Sequence, residues 1–491
     1  MTEERYKLGN GQYIESIEQS RVMSIISAAH PEKNLDYPWD ESGMSQLFGE
    51  CYSYNTKFCS TSNTWYSYSD GAWRKDTGAL IVAERVKEFC RLIFFYTWEI
   101  EDEQLRADYI KFAAKMGDRR WRERLLRDAQ SVTELKISAE EFDAHPELIN
   151  CLNGTYDLEN MRFREHDSKD YLTMQTRFDY TLQNVSCPRW EQFIDEITLG
   201  DKDKARYLQK ALGYSMFGSS KEECMFILHG KTTRNGKSTL LGAIHYLLGD
   251  YAAVSPVSII CRGDRAKNAD APSPMLASLK GKRFVTMAES SQYGKLDEET
   301  IKQLTGGEEI SARNIYERQM TFLPQFTLWL SCNDLPAVHD KSLFASDRIK
   351  VIEFNKHFSE AERDVTLKDL FKNPVSMQGI FSWLVAGFFW YKREGLSMSD
   401  DMKRVIKQYE SDNDLVLQFL EEECQRTKGK STQAKALYNK YKIWARSNGY
   451  YIMNAKKFNA GLAAHSEWYD KIGVSMGYKV YNGVCLKQNL S

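Results

Sequence analysis

The sequence predicts an α/β fold with a parallel central sheet, an α+β domain before it and a winged-helix-like domain after it. Residues 225–248 run from a short apolar strand through a polar loop into a helix of apolar periodicity. Apolar runs at 282–288, at 326–331 and after Arg348 read as further buried strands. Beyond residue 430 the order is helix, turn, helix, then a glycine-containing hairpin.

A chain of 491 residues has room for about three domains. Sixty-six basic side chains against 68 acidic ones leave a formal charge of −2, which points neither toward nor away from nucleic acid. The ten cysteines are scattered without a C-x-x-C unit, which argues against a disulfide framework or a cysteine-based zinc site. The N-terminus alternates charged and polar residues without an apolar stretch, so secretion is not indicated. The apolar runs Leu92–Trp98 and Ile380–Tyr391 fall well short of the roughly 20 residues that a membrane span requires. An intracellular, reducing compartment is the expectation.

Taken in order, residues 1–60 mix short apolar patches with Pro31 and Pro38 and carry no motif, so their role is unknown. An α+β domain is expected over 61–187. It opens with the aromatic alternation WYSYSDGAWRKD, whose Asp70-Gly71 marks a tight hairpin turn. A helix is expected over Ile81–Phe95 and a second over about Leu105–Ala129. The second carries Arg119, Arg120, Arg122, Arg124 and Arg127, interleaved with Asp118, Glu123 and Asp128, as on a solvated helix face. LNGTYDLENMRFREH reads as another hairpin before Pro188.

The segment 188–396 carries the chemistry. After the strand Met225–Leu228 comes HGKTTRNGKSTLL, in which Gly236, Lys237 and Ser238 form a phosphate-binding turn into a helix. Lys237 is placed to neutralise the β and γ phosphates, Ser238 to hold Mg2+, and Thr239 to offer a second hydroxyl. Gly230, Thr233 and Asn235 complete the candidate nucleotide-binding loop. Five residues separate Gly230 from Gly236, one more than the usual G-x4-GK[ST] spacing, whose strict position is Lys231.

Downstream, the strand 282–288 leads into Glu289, a candidate for orienting water or holding metal, with Ala288 where a second acid would stand. The strand 326–331 leads to Asn333, which can bond a γ-phosphate or the attacking water, or simply form a turn. Arg348 opens the third strand and is open to two readings: a finger reaching a neighbouring subunit, or a partner of Asp347 or Glu353. Between them EEISARNIYERQMTFLPQF reads as a β-hairpin projecting Arg313 and Arg318, with Tyr316 available for stacking. It suits either a channel that follows a single strand or an ordinary surface.

The last 66 residues carry twelve basic side chains and two acidic ones, leaving the first 425 residues at −12. Charge so concentrated suits nucleic-acid contact. AKALYNKYKIWARSNGY reads as a helix, and Asn454 can cap a second one carrying Lys456 and Lys457. A winged-helix-like domain over 397–491 is expected, with a structural cap as the alternative.

In order along the chain, PRWEQFIDEI, YLQKALGYSMFGS, GKTTRNGKSTLL, LLGDYA, ASLKGKRFVTMAES, IKQLTGGEEISARNIY, LWLSCNDLP and DRIKVIEF resemble the superfamily 3 helicases of phage and plasmid primase-helicase proteins. These belong to the AAA+ class. The resemblance runs from about residue 60 to about residue 395 and extends to replication initiators of phages and of phage-inducible islands such as the staphylococcal pathogenicity islands. It implies Walker A at Gly236, Lys237 and Ser238, the Walker B acid at Glu289, sensor 1 at Asn333 and the arginine finger at Arg348. It also implies a pre-sensor hairpin bearing Arg313 and Arg318, ATP and Mg2+ as cofactors, a hexameric ring and 3'-to-5' translocation in a bacterial cytoplasm.

The reading is an ATP-dependent DNA helicase and replication initiator that binds origin duplex through its tail, with host replication proteins among its expected partners. A nucleotide-gated origin-binding switch that recruits a host helicase is the alternative. A primase half is expected to be absent, since no D-x-D carboxylate pair on strands precedes the resemblance.

Overall fold

The structure, a computed structural model, describes residues 16–181, 185–261, 273–288, 295–313, 315, 319–338 and 342–487. Its N-terminal part begins with α1 (Ile17–Ala29) and α2 (Glu41–Tyr52), each opened by a side-chain cap, Ser16 and Asp40. The small strands β1 (Thr56–Cys59), β2 (Thr64–Ser69) and β3 (Ala72–Lys75) follow, with Asp70 and Gly71 at positive φ in the expected tight turn. Then come α3 (Leu80–Tyr96), α4 (Glu103–Lys115), α5 (Arg119–Ala129) and β4 (Lys136–Ile137), giving a sheet of order β3-β2-β1-β4.

The single helix expected over 105–129 is thus two. The break falls at Met116-Gly117, and Asp118 accepts from the Arg120 N–H to start α5. The arginines of α5 largely serve this helical layer: Arg119 pairs with Glu123 at 2.8 Å and Arg124 with Glu41 at 2.5 Å. Residues 16–60 also gain a structural role, because Val22, Met44, Leu47 and Phe48 share one buried core with Phe89, Tyr109 and Leu125.

Strands β5 (Leu148–Cys151), β6 (Gly154–Asp157) and β7 (Arg162–Arg164) form an antiparallel meander. Next come α6 (Pro188–Thr198), α7 (Lys202–Tyr214), β8 (Met225–His229), α8 (Lys237–Leu248) and β9 (Ala252–Val254). The short α9 (Pro274–Ala277) precedes β10 (Phe284–Ala288) and α10 (Glu298–Thr305). The hairpin β11 (Ile310–Ala312) and β12 (Met320–Phe322) leads to β13 (Thr327–Cys332), α11 (Ser342–Ala345) and β14 (Ile349–Glu353). The core closes with α12 (Leu367–Leu370), α13 (Pro374–Glu394) and α14 (Asp400–Asp412).

The central sheet has the order β14-β8-β13-β10-β9, and every pairing in it is parallel. Its strands are apolar on both faces because both are covered. Phe226, Trp329 and Ile352 pack toward α6, α7, α8 and α13, with Phe226 and Trp329 stacked at 4.3 Å. Ile227, Leu328 and Val351 pack on the opposite face with Ile301, Phe344 and Tyr409.

Tyr156 and Phe178 join the core beside the central sheet through Phe381, and the buried Arg283 guanidinium donates to the carbonyls of Leu148 and Met216. At the other end Met402 and Tyr409 of α14 are buried in the two core layers. These contacts cross the divisions expected near residues 187 and 396.

The C-terminal module consists of α15 (Leu415–Glu423), β15 (Cys424–Gln433), α16 (Ala434–Ser447), α17 (Ala455–Ala464), β16 (Lys471–Ser475) and β17 (Tyr478–Leu486). Its sheet runs β15-β17-β16, and its core gathers Phe419, Tyr441, Trp444, Phe458 and Tyr481. Helix, strand, two helices and a hairpin wing make it winged-helix-like.

Candidate nucleotide and nucleic-acid sites

Parallel strands bring their C-terminal ends to one edge, the place where open α/β sheets bind ligands. Here the register aligns His229, Cys332 and Glu353, with Ala288 beside Ser331. The loop 230–236 springs from β8 at this edge and enters α8.

Its shape follows from two left-handed residues, Arg234 (φ 56°) and Gly236 (φ 89°), which curl the backbone into an anion-accepting turn. Gly236 also sits where a Cβ would lie 2.5 Å from Ile197 Cγ2 on α6, so the turn needs glycine for space as well as for φ. At Gly230 a Cβ would meet the Asn235 amide and the Phe354 carbonyl, both at 2.6 Å. Asn235 is buried and bridges the loop internally, donating from Nδ2 to Thr232 O at 2.5 Å and Gly230 O at 3.4 Å.

Lys237 is 5% exposed, and its ammonium donates to Gly230 O (3.0 Å), Cys332 O (2.8 Å) and Asn333 Oδ1 (3.1 Å). Lys237 and Asn333, 96 positions apart in sequence, therefore meet at the ends of β8 and β13. Ser238 is exposed and Thr239 half-buried at the N-terminus of α8, while Thr233 stands in solvent. The exposed hydroxyl of Ser238 fits a metal-bound nucleotide at this turn. Glu289, the expected acid, lies outside the described residues. Among the described residues no group of three or more His, Cys, Asp and Glu side chains could hold a metal ion.

Two groups at this edge had no part in the sequence reading. His229, directly before Gly230, is buried 4.0 Å from Glu353, and burial pushes its pKa down, with Lys237 adding to the effect. The segment after β14 lies against the loop: the His357 ring meets Thr233 O at 2.8 Å, and the Phe358 N–H donates to Arg234 O at 2.9 Å. The histidine before the glycine was visible in the sequence. The second contact had no local signal.

Arg348 pairs with neither Asp347 nor Glu353. It reaches Glu223 at 2.6 Å and the Thr305 hydroxyl at 2.9 Å within its own chain, while Asp347 pairs with Lys350. Arg313 is half-buried just after β11, in the expected hairpin, and Tyr316 and Arg318 of the tip lie outside the described residues.

In the C-terminal module several cations are engaged in holding the fold. Arg426 pairs with Asp470, Lys440 with Glu423, and Lys487 donates to Glu421 O. Lys456 and Lys457 differ: both are exposed in the first turn of α17, which Asn454 caps by accepting from the Lys457 N–H.

Fold and site together define a P-loop α/β protein with an appended winged-helix-like module. Family models match three stretches: D5 N terminal like over residues 45–199, a family of unknown function over 228–348, and Poxvirus D5 protein-like over 411–482. The chain thus carries two stretches similar to D5 proteins, one ending before the nucleotide loop and one in the C-terminal module.

Among curated relatives, "Putative helicase L207/L206" of Acanthamoeba polyphaga mimivirus is 25% identical over 445 residues, 82% of this chain and 45% of that protein. "Primase D5" of Fowlpox virus is 24% identical, covering 53% of this chain and 34% of that protein. The chain spans less than half the length of these relatives. Among solved structures, the apo C-terminal region of NrS-1 shares the fold, with a TM-score of 0.50 at 10% identity over 90% of this chain and 99% of that one.

Proposed function

We propose that this chain is an ATP-driven DNA-unwinding motor of viral or mobile-element replication that engages duplex DNA through its C-terminal module. The observation that carries the reading is the Lys237 ammonium, buried between two strand-end carbonyls and Asn333. A buried ammonium at the mouth of a phosphate-binding turn is placed to meet an arriving polyphosphate, which supplies opposite charge. The names of the viral relatives, helicase and primase, agree with a replication role.

In this reading loop N–H groups bind phosphate oxygens, Lys237 neutralises the β and γ phosphates, and Asn333 orients the attacking water or the γ-phosphate. Mg2+, held through Ser238 and Glu289, would supply charge neutralisation across the phosphates. Arg348 would leave Glu223 to reach a nucleotide in the adjacent subunit of a hexameric ring. Movement of the hairpin bearing Arg313, Tyr316 and Arg318 would carry one strand 3'-to-5'. The C-terminal module would hold origin duplex through Lys456 and Lys457.

Strand displacement by the purified chain with ATP tests the proposal. Unwinding that requires ATP and a 3' single-stranded tail is expected. ATP turnover without any displacement would replace the motor with the nucleotide-gated origin-binding switch.

A further inference from the structure

The nucleotide loop is one residue longer than G-x4-GK[ST], and a longer loop has more conformations to lose when it closes on phosphate. We infer that residues 354–358 form a strap that fixes the phosphate-binding shape of this loop, with His357 as its positioning residue. The inference rests on the nucleotide reading of the site.

Three hydrogen bonds and one close approach within five residues carry it. The Phe354 N–H donates to His229 O at 2.7 Å, just before the loop, and the Phe354 carbonyl sits where a side chain at Gly230 would be. At the loop's far side His357 Nδ1 lies 2.8 Å from Thr233 O, and the Phe358 N–H donates to Arg234 O at 2.9 Å. A carbonyl can only accept, so Nδ1 carries the proton and donates.

In a trans peptide the C=O and the following N–H point in opposite directions. Turning the carbonyls of Thr233 and Arg234 onto the strap therefore turns the N–H groups of Arg234 and Asn235 away from it, toward the inner side of the loop. The strap is anchored at both ends: Phe354 is buried and Phe358 packs against the central-sheet core. His357 itself is exposed, so its ring contributes through this hydrogen bond and little through packing.

The test is ATP binding and steady-state hydrolysis by the full chain and two variants. His357→Ala is expected to raise KM and Kd for ATP about fivefold, the weight of one hydrogen bond, while kcat stays within about twofold. His357→Asn places an amide N–H near the position of Nδ1 and should restore both constants to within about twofold of the parent chain. Unfolding of all three should coincide, because the ring is exposed.

Unchanged ATP affinity in His357→Ala would overturn the strap, as would an affinity loss that Asn does not restore. A parent chain that neither binds nor hydrolyses ATP would instead overturn the nucleotide reading on which the strap rests.

Discussion

In the P-loop core Lys237 is buried, its ammonium donating to Gly230 O, Cys332 O and Asn333 Oδ1, whereas in the C-terminal module Lys456 and Lys457 stand in solvent, and neither pairs with a carboxylate among the described residues. The two regions put positive charge to different uses. Lys237 sits in a low-dielectric niche where one charge counts for much and geometry is fixed by the sheet. On the proposed reading the lysines of α17 would act through a field that water and salt screen, so each would contribute modestly and their number would matter. The first arrangement should fail completely on a single substitution, the second by degrees.

The largest expected effect tests the buried side of that contrast. Lys237→Ala should lower ATP turnover by at least about 100-fold, as loss of a preorganised transition-state donor does. Duplex binding should be unchanged, which a filter or anisotropy assay of the same preparation reads. Retained turnover would remove Lys237 from the nucleotide site. Next in size is where the core ends. Tyr409 packs edge-on against Phe344 at 5.1 Å and donates to Pro336 O, so Tyr409→Ala should destabilise the central-sheet core by about 3 to 5 kcal/mol. Tyr409→Phe keeps the ring and should cost only about 1 kcal/mol in the same denaturant titration. If neither variant moves the transition, α14 belongs with the tail.

How much of this was legible depended on whether the signal was local. Strand, loop and helix around Lys237 are contiguous, and the apolar runs ending near Ala288 and Ser331 are long enough to read as buried strands. Their order in the sheet, which brings Asn333 to Lys237, is a long-range property that periodicity does not encode. α13 hid as an apolar run because it is covered along much of its length by α7 and neighbouring aromatic residues. The 105–129 stretch read as one helix because Met116 continues the apolar spacing, and only Gly117-Asp118 marks the cap. Residues 16–60 lack any chemical motif, yet their buried Leu47 and Phe48 complete a core whose other half lies after residue 80. The strap is the extreme case, since His357 meets Thr233 across 124 positions with nothing in either neighbourhood to announce it.

The screened side of the contrast predicts gradation. Lys456→Gln and Lys457→Gln should each weaken duplex binding without abolishing it and lower the slope of log affinity against log salt by about 1. ATP turnover without DNA should not change. A loss confined to one lysine, with no change in salt slope, would mean that α17 reads a base edge instead of following phosphates.

The smallest expected effect separates the regions by pH. Burial pushes the pKa of His229 and of His245 down, with Arg177 and Lys282 adding to the effect at His245. A histidine kept neutral by burial binds its proton more readily in the unfolded chain, so acid favours unfolding. The stability each contributes is full above the unfolded pKa of about 6.5 and declines as pH falls below it. Between pH 7.5 and 5.5 the unfolding transition of the central-sheet core should therefore move to lower temperature, and His245→Gln, in the last turn of α8, should flatten part of that slope. Both histidines belong to the central-sheet core, in β8 and α8, so duplex binding through Lys456 and Lys457 should stay level while that core loses stability. A parallel loss of both would mean that the module depends on that core for its fold. A flat transition would mean that neither histidine is kept from its proton.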